Sequence, residues 1–205
     1  SAKLKRTMTS MALVGAALAL PVAAMAGVVV KSTGPSSTKY PVGTKLDDNA
    51  SITLKPGDVV ALNNPYNGGT HLPDVTVITP VFVGGAPAFW LGSRGHHADI
   101  GGRTPGSAPP DSTTIEEEGV VIDLFPLVVR GTLREAETRA LLASGRYPCR
   151  QVDQNMADLK AQIAANETGR RELLRVVASY GAETVRAYMG HVQRNAEACV
   201  RAGSY

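Results

Sequence analysis

The stretch from Asn63 to Gly102 constrains the fold more than any other part of this 205-residue chain. It contains a β-branched run, VTVITPVF at residues 75–82, between two glycine-rich segments that carry histidine and aspartate. Such a run, bounded by proline and glycine, is typical of a strand. We predict a hairpin in which one strand leaves the first glycine-rich segment and a second strand returns to the next. This hairpin would bring both segments to the same edge of a sheet.

The two glycine-rich segments hold residue types that bind metal ions. Three of the four histidines lie here: His71 in the first segment, and the adjacent His96 and His97 in the second. Asp74 follows His71 by three positions, and Asp99 follows the histidine pair. Imidazole and carboxylate together suit a divalent metal with an open coordination position. We interpret the segments as a metal or catalytic site; the alternative is that they are polar turn residues that satisfy backbone groups.

Three motifs in and after this stretch resemble the hydantoinase B/5-oxoprolinase family, the B-type half of ATP-dependent 5-oxoprolinases. The motifs are NPYNGGTHLPDVTVITPVF, SRGHHADIGG and TPGSAPPDSTTIEEEGVVI, in the family's order. The resemblance covers about residues 56–202 and continues through DLKAQIAANETG and AYMGHVQRNAE. It implies the partial catalytic core of a hydrolase that opens a cyclic amide, converting 5-oxo-L-proline or a hydantoin-like substrate; 5-oxo-L-proline would give L-glutamate.

The resemblance also implies a cofactor and a partner. A divalent metal ion would bind to this chain, whereas ATP would bind to a separate A-type subunit or domain that activates the substrate. The sequence contains neither a GxxxxGK[ST] phosphate-binding loop nor a GxGxxG between a strand and a helix. ATP is therefore expected only through the partner half.

Individual site residues follow from the same resemblance. The metal ligands would be His71, Asp74 and one histidine of the pair, with His96 favoured over His97. Adjacent side chains rarely face the same way, so the other histidine would contact substrate or a carboxylate such as Asp99. Either Glu116 or Glu117 would act as general base or substrate contact, and the alternative is that this acidic run is a solvated turn. The residues expected to bind substrate are Asn67, Gly69, Arg94 and Asp99.

The N-terminal region differs in character from the rest of the chain. Residues 1–26 resemble an export signal, with a basic start, an apolar stretch over residues 11–24 and a small-x-small site that ends at Ala26. The alternative is a buried N-terminal helix. We predict a signal-peptide-like segment at 1–26, a short β-rich segment at 27–55 and the family-like domain at 56–205. The family resemblance implies a cytoplasmic location, and use of the leader would make the protein periplasmic or secreted.

The remaining segments predict an α+β fold with a mixed β-sheet core and Gly-rich metal-binding loops, followed by a C-terminal helical pair. Residues 119–129 read as a buried strand and residues 132–144 as a helix. Helical periodicity runs from 155 to 201, with Gly181 between two helices and Gly169 as a candidate break. An apolar stripe on the last helix is expected to join the core: Val185, Tyr188, Met189, Val192 and Val200.

Charge, hydropathy and cysteine spacing narrow the classes of function open to the chain. A formal charge of +3 is too small and dispersed to indicate nucleic-acid binding, and the apolar stretch near the N-terminus is too short for a stable membrane span. Cys149 and Cys199 match no metal-binding spacing, so ordinary thiols are favoured over a disulfide. Exposed apolar edges and homo-oligomer formation are further expectations. The alternative to an enzyme is an exported, non-catalytic scaffold or binding protein that retains a fragment of the fold.

Overall fold

The computed structural model describes residues 2–5, 27–28, 45–46 and 51–203. The strands in these residues are β1 (Ala2–Lys5), β2 (Gly27–Val28), β3 (Lys45–Leu46), β4 (Ser51–Leu54), β5 (Val59–Leu62), β6 (Asp74–Val83), β7 (Ala86–His96), β8 (Phe125–Val129) and β9 (Thr132–Leu133). The α-helices are α1 (Glu135–Leu142), α2 (Val152–Tyr180) and α3 (Ala182–Ala202). Most of the leader-like segment, from residue 6 to residue 26, lies outside the described residues.

A five-stranded sheet in the order β7-β6-β5-β8-β9 forms the centre of the described structure. Every pairing in it is antiparallel, and β1 with β4 and β2 with β3 form two further antiparallel pairs. The α+β class and the C-terminal helical pair are thus confirmed, with a sheet that is antiparallel in all described pairings.

The predicted hairpin is the longest element of this sheet. Strands β6 and β7 are joined by Gly84 and Gly85, which both have positive φ, as a two-residue type I′ turn requires. From this turn the register runs from Val83 opposite Ala86 to Asp74 opposite His96. A tight turn at one end therefore fixes which side chains meet at the other end.

The two faces of β6 are buried against different neighbours. Val75 and Val77 join the main core, in which the sheet packs against Met156 and Leu159 of α2. Ile78 points into a second apolar cluster with Val60 of β5. Because β6 is covered on both sides, the end of the hairpin that carries Asp74 is held rigidly by the core.

Helix α2 runs without a break for 29 residues. Gly169, a candidate break in the sequence, lies within it, and a Cβ atom there would lie 3.6 Å from Leu91 Cδ1. That distance is an ordinary van der Waals contact, so Gly169 lies where α2 packs against β7. The helix ends at Tyr180, and Gly181 with φ of 81° starts the turn into α3.

The expected burial of the α3 stripe is wrong beyond Val185. Val185 packs with Val81 and Phe89, whereas the rest of the stripe is exposed: Tyr188, Met189, Val192 and Val200. Helical periodicity shows which face can be buried, but it does not specify what covers that face. Among the described residues, no helix is both long enough and apolar enough to cross a membrane.

The segment from 119 to 129 is a strand only over Phe125–Val129. The backbone of its first half is bound instead by the side chain of Asn63, which donates to Val120 O and accepts from Ile122 N. Those backbone groups would otherwise be available to a strand ladder. The helix predicted over residues 132–144 is shorter, because Thr132 and Leu133 pair with β8 before α1 begins.

Candidate metal centre

Three predicted ligands meet at the open end of the β6–β7 hairpin. His71, Asp74 and His96 each offer one ligand atom, and these atoms all lie within 4.8 Å of one another. His96 Nδ1 lies 2.8 Å from Asp74 Oδ1, and the rings of His71 and His96 have centroids 6.0 Å apart. The side chain of His96 is 65% exposed and that of Asp74 is 26% exposed. The cluster is therefore both compact and accessible from solvent.

The loop that carries His71 is shaped by a buried asparagine. Asn63 is fully buried, and its Nδ2 donates to Leu72 O at 2.8 Å and to Val120 O at 2.9 Å. Its Oδ1 accepts from Ile122 N at 2.6 Å. These three bonds use both N–H donors and one acceptor position of the side chain, so Asn63 holds the loop in place from inside the protein.

Gly69, predicted to bind substrate, lies against this same loop. A Cβ atom there would lie 2.2 Å from Asn63 O, which no side chain tolerates. The lack of a side chain is thus required by packing at this position. Asn67, another predicted substrate contact, donates from Nδ2 to Asp123 Oδ2 at 3.2 Å.

The two histidines of the pair have separate environments. His97 N donates to Pro73 O at 2.8 Å, which ties the second glycine-rich segment to the first. The His97 ring, in contrast to that of His96, is buried against α2. Asn155 Nδ2 donates to His97 Nδ1 at 3.0 Å, so His97 Nε2 carries the hydrogen and donates to Gln162 Oε1 at 3.2 Å. The structure brings His96, and not His97, to the ligand cluster.

Two linked hydrogen bonds connect Asp74 to Arg94 through Thr70. Thr70 Oγ1 donates to Asp74 Oδ2 at 3.0 Å, and Arg94 Nη1 donates to Thr70 Oγ1 at 3.3 Å. The hydrogen bond from His96, followed by that from Thr70, lowers the pKa of Asp74 against the opposing effect of burial. Asp74 is therefore an ionised carboxylate at neutral pH, as a metal ligand must be. Arg94, a predicted substrate contact, lies at the edge of the cluster.

His71 has one ring nitrogen committed and one available. Its Nε2 lies 3.2 Å from the carbonyl oxygen of Ser107. A carbonyl can only accept, so Nε2 carries the hydrogen and Nδ1 keeps a lone pair. Metal-binding histidines commonly donate their second N–H to a backbone carbonyl in this way. The donor set and this outer contact fit a divalent metal ion.

The other predicted residues lie in separate networks. Asp99 Oδ2 accepts from Arg150 N at 2.7 Å and from Gly101 N at 3.2 Å, and Asp99 also forms an ion pair with the Arg150 guanidinium. No local pattern in the sequence indicates Arg150 as a partner of Asp99, and Arg150 precedes α2 by two residues. Asp99 therefore joins the second segment to the start of α2 in the described structure.

Glu116 and Glu117 lie in a short 3₁₀-helix at Ile115–Glu117. Glu117 Oε2 accepts from Thr113 N at 2.7 Å, and this bond to Thr113 is the main cause of a pKa below the ordinary value for Glu117.

Thr70 and Ser107 are contacts of the cluster that sequence reasoning missed. Thr70 immediately precedes His71, and that adjacency was the only signal for it in the sequence.

The fold and the cluster coincide with a family match. The sequence model of the Hydantoinase B/oxoprolinase family matches residues 9–203, so the chain belongs to that family. This match starts well before residue 56, where the motifs above place the start of the resemblance. The boundaries at residues 26 and 55 stay predictions.

Similar proteins carry related names. The chain is 47% identical over 156 residues to 5-oxoprolinase 1 of Arabidopsis thaliana, which covers 72% of this chain and 12% of that protein. It is 48% identical over 166 residues to 5-oxoprolinase of Dictyostelium discoideum, and the match covers 81% of this chain and 12% of that protein. It is 35% identical over 146 residues to caprolactamase subunit beta of Pseudomonas jessenii, covering 71% and 24%. The chain thus spans about an eighth of the length of the two 5-oxoprolinases.

Solved structures share the fold. The ATP-dependent caprolactamase from Pseudomonas jessenii superimposes with a TM-score of 0.58 at 35% identity, covering 65% of this chain and 22% of that one. A nucleotide-free acetone carboxylase superimposes with a TM-score of 0.57 at 24% identity, covering 65% of this chain and 17% of that one. This likeness is evidence of the fold alone.

Proposed function

We propose that this chain is the metal-bearing part of an ATP-dependent hydrolase that opens a cyclic amide, with 5-oxo-L-proline converted to L-glutamate. The observation that carries the proposal is the cluster of His71, Asp74 and His96 at the end of the β6–β7 hairpin. The names of the relatives support the substrate class, since two are 5-oxoprolinases and one is a caprolactamase subunit.

ATP activation is assigned to a separate A-type subunit or domain. The sequence contains no phosphate-binding loop of the GxxxxGK[ST] type. One relative is named as a beta subunit, and a solved relative is described as ATP-dependent. Both names support a division of labour in which nucleotide chemistry takes place on the partner and ring opening takes place beside this cluster.

The residues at and around the cluster have different roles in the proposed reaction. A divalent metal held by His71, Asp74 and His96 would polarise the substrate oxygen or a water molecule. Arg94 presents N–H donors beside the cluster, and a guanidinium pairs well with a carboxylate such as that of 5-oxo-L-proline. Asn67 and Asp99 are proposed to contact the substrate. Gly69, which has no side chain, would let the backbone approach the substrate closely.

The general base is proposed to be Glu116 or Glu117. The backbone N–H of Thr113 stabilises the Glu117 carboxylate and lowers its pKa, so this group is ionised and able to accept a proton at neutral pH.

The test is the metal content of the purified chain beside a His71→Ala/Asp74→Ala variant. About one divalent ion per chain is expected in the wild type, and loss of the ion in the variant, because two of three ligands are gone. His191→Ala is the matched control, since that exposed histidine contacts Arg194 on α3. No metal in the wild type would contradict the proposal and favour a non-catalytic scaffold. A positive result would justify an assay with an A-type partner, ATP and 5-oxo-L-proline.

A further inference from the structure

Ser107 occupies an uncommon environment for a serine in a Pro/Gly-rich loop. It is fully buried, and its φ of 54° makes it one of three non-glycine residues with positive φ among those the structure describes. This region of φ is sparsely populated for residues with a Cβ atom. Such a conformation persists only where surrounding contacts determine it.

The contacts of Ser107 join the two segments that supply the metal ligands. Its carbonyl oxygen accepts from His71 Nε2 at 3.2 Å, and its hydroxyl donates to Gly101 O at 3.0 Å. His71 belongs to the first segment, and Gly101 belongs to the segment that carries His96. One residue is thus bonded to both sides of the cluster from the loop that follows them.

We propose that Ser107 is a positioning residue that fixes the ring orientation and tautomer of His71, leaving Nδ1 directed to the ligand site. The Gly101 bond anchors the Ser107 turn, and the positive φ aims its carbonyl at Nε2. This inference rests on the proposed metal function, because it assigns Ser107 a role in arranging one of the ligands.

The experiment records the ring-nitrogen NMR spectrum of the metal-free full chain and then measures its affinity for Zn²⁺ by competition with a chelator. The variants are Ser107→Gly, which removes the hydroxyl while tolerating positive φ, and Ser107→Ala, which removes the hydroxyl and keeps Cβ. Ser112→Ala is the matched control, because the Ser112 hydroxyl bonds Glu118 in the same loop. His97 serves as the internal reference for an Nε2-protonated ring.

We expect a single Nε2-protonated tautomer of His71 in the wild type and in Ser112→Ala. Both Ser107 variants should show mixed tautomers for His71, an unchanged His97 signal and Zn²⁺ affinity lower by about 10-fold or more. An unchanged His71 tautomer and unchanged affinity in a folded Ser107→Gly chain would overturn the inference. A wild type that binds no Zn²⁺ would instead sink the proposed function, and the tautomers would still decide whether Ser107 orients His71.

Discussion

His96 and His97 are neighbours in the chain, but their side chains lie in opposite environments. The His96 side chain is 65% exposed at the open end of the hairpin, whereas that of His97 is 1% exposed between the sheet and α2. Both ring nitrogens of His97 are bonded within the protein, to Asn155 and Gln162. A polar side chain with every atom satisfied in the core stabilises the fold, whereas one with an open lone pair at the surface can bind a ligand.

The largest effect is expected on the buried side, at Asn63. Asn63→Leu should lower the free energy of unfolding by roughly 3–6 kcal/mol, because Leu72 O, Val120 O and Ile122 N would each lose their partner. Urea unfolding measures the change. Asn64→Ala is the matched control: its side chain caps Tyr66 N at the surface, and its loss should cost about 1 kcal/mol or less. Equal losses in the two variants would show that the buried hydrogen bonds of Asn63 stabilise the fold no more than the surface bond of Asn64.

The next effect is expected on the exposed side, at Asp74. Asp74→Ala should weaken divalent-metal binding by at least about 100-fold, more than the loss of an outer contact typically causes. Its effect on unfolding should stay within about 1 kcal/mol, since the pair with His96 is accessible to solvent. Calorimetric titration with Zn²⁺ measures the metal affinity, and urea unfolding measures the change in stability. Asp153→Ala, at an exposed ion pair with Arg139, should leave metal affinity unchanged.

A smaller effect concerns acid stability. The pKa of Asp74 is lowered in the folded state, so its ionised form contributes stability above the ordinary carboxyl pKa. That contribution is lost as pH falls through the lower, folded-state pKa. The stability of the metal-free wild type minus that of Asp74→Asn should therefore shrink over this acidic window, by no more than about 1 kcal/mol. A difference that grows on acidification would contradict the assignment of His96 as the partner that stabilises the carboxylate.

The smallest effect uses the two cysteines as reporters of burial. Cys149 is buried in the core and Cys199 is exposed on α3. Burial, with a contribution from Asp99, raises the pKa of Cys149 to about 12, so its reactive thiolate is scarce. A thiol reagent should modify Cys199 quickly and Cys149 only after unfolding, as peptide mass spectrometry would show. Rapid modification of Cys149 in the folded chain would argue against the main core.

The hairpin and most of the cluster follow from local sequence. The run at residues 75–82 and the glycines at 84 and 85 determine an antiparallel return, and that return places Asp74 opposite His96. Adjacent side chains diverge, so the sequence also indicated that only one histidine of the pair would join the cluster. These features depend on residues close together in the chain.

The remaining features depend on distant residues. His97 turns inward because Asn155 and Gln162 meet it from 58 and 65 positions away, and no local pattern encodes those contacts. The role of Ser107 depends on a carbonyl that reaches His71 across 36 positions. The stripe on α3 has the periodicity of a core face, but only Val185 meets the sheet.

The proposed site divides the histidine pair into one metal ligand, His96, and one structural residue, His97. It is tested most directly by the metal stoichiometry and stability of His96→Ala and His97→Ala, measured side by side on folded protein. We expect His96→Ala to lose the metal and less than about 1 kcal/mol of stability, because its ring is exposed. His97→Ala should keep about one ion per folded chain but lose roughly 2–4 kcal/mol, because it leaves a cavity and removes one hydrogen-bond partner each from Asn155 and Gln162. Loss of metal in His97→Ala with retention in His96→Ala would show that His97, and not His96, is the ligand.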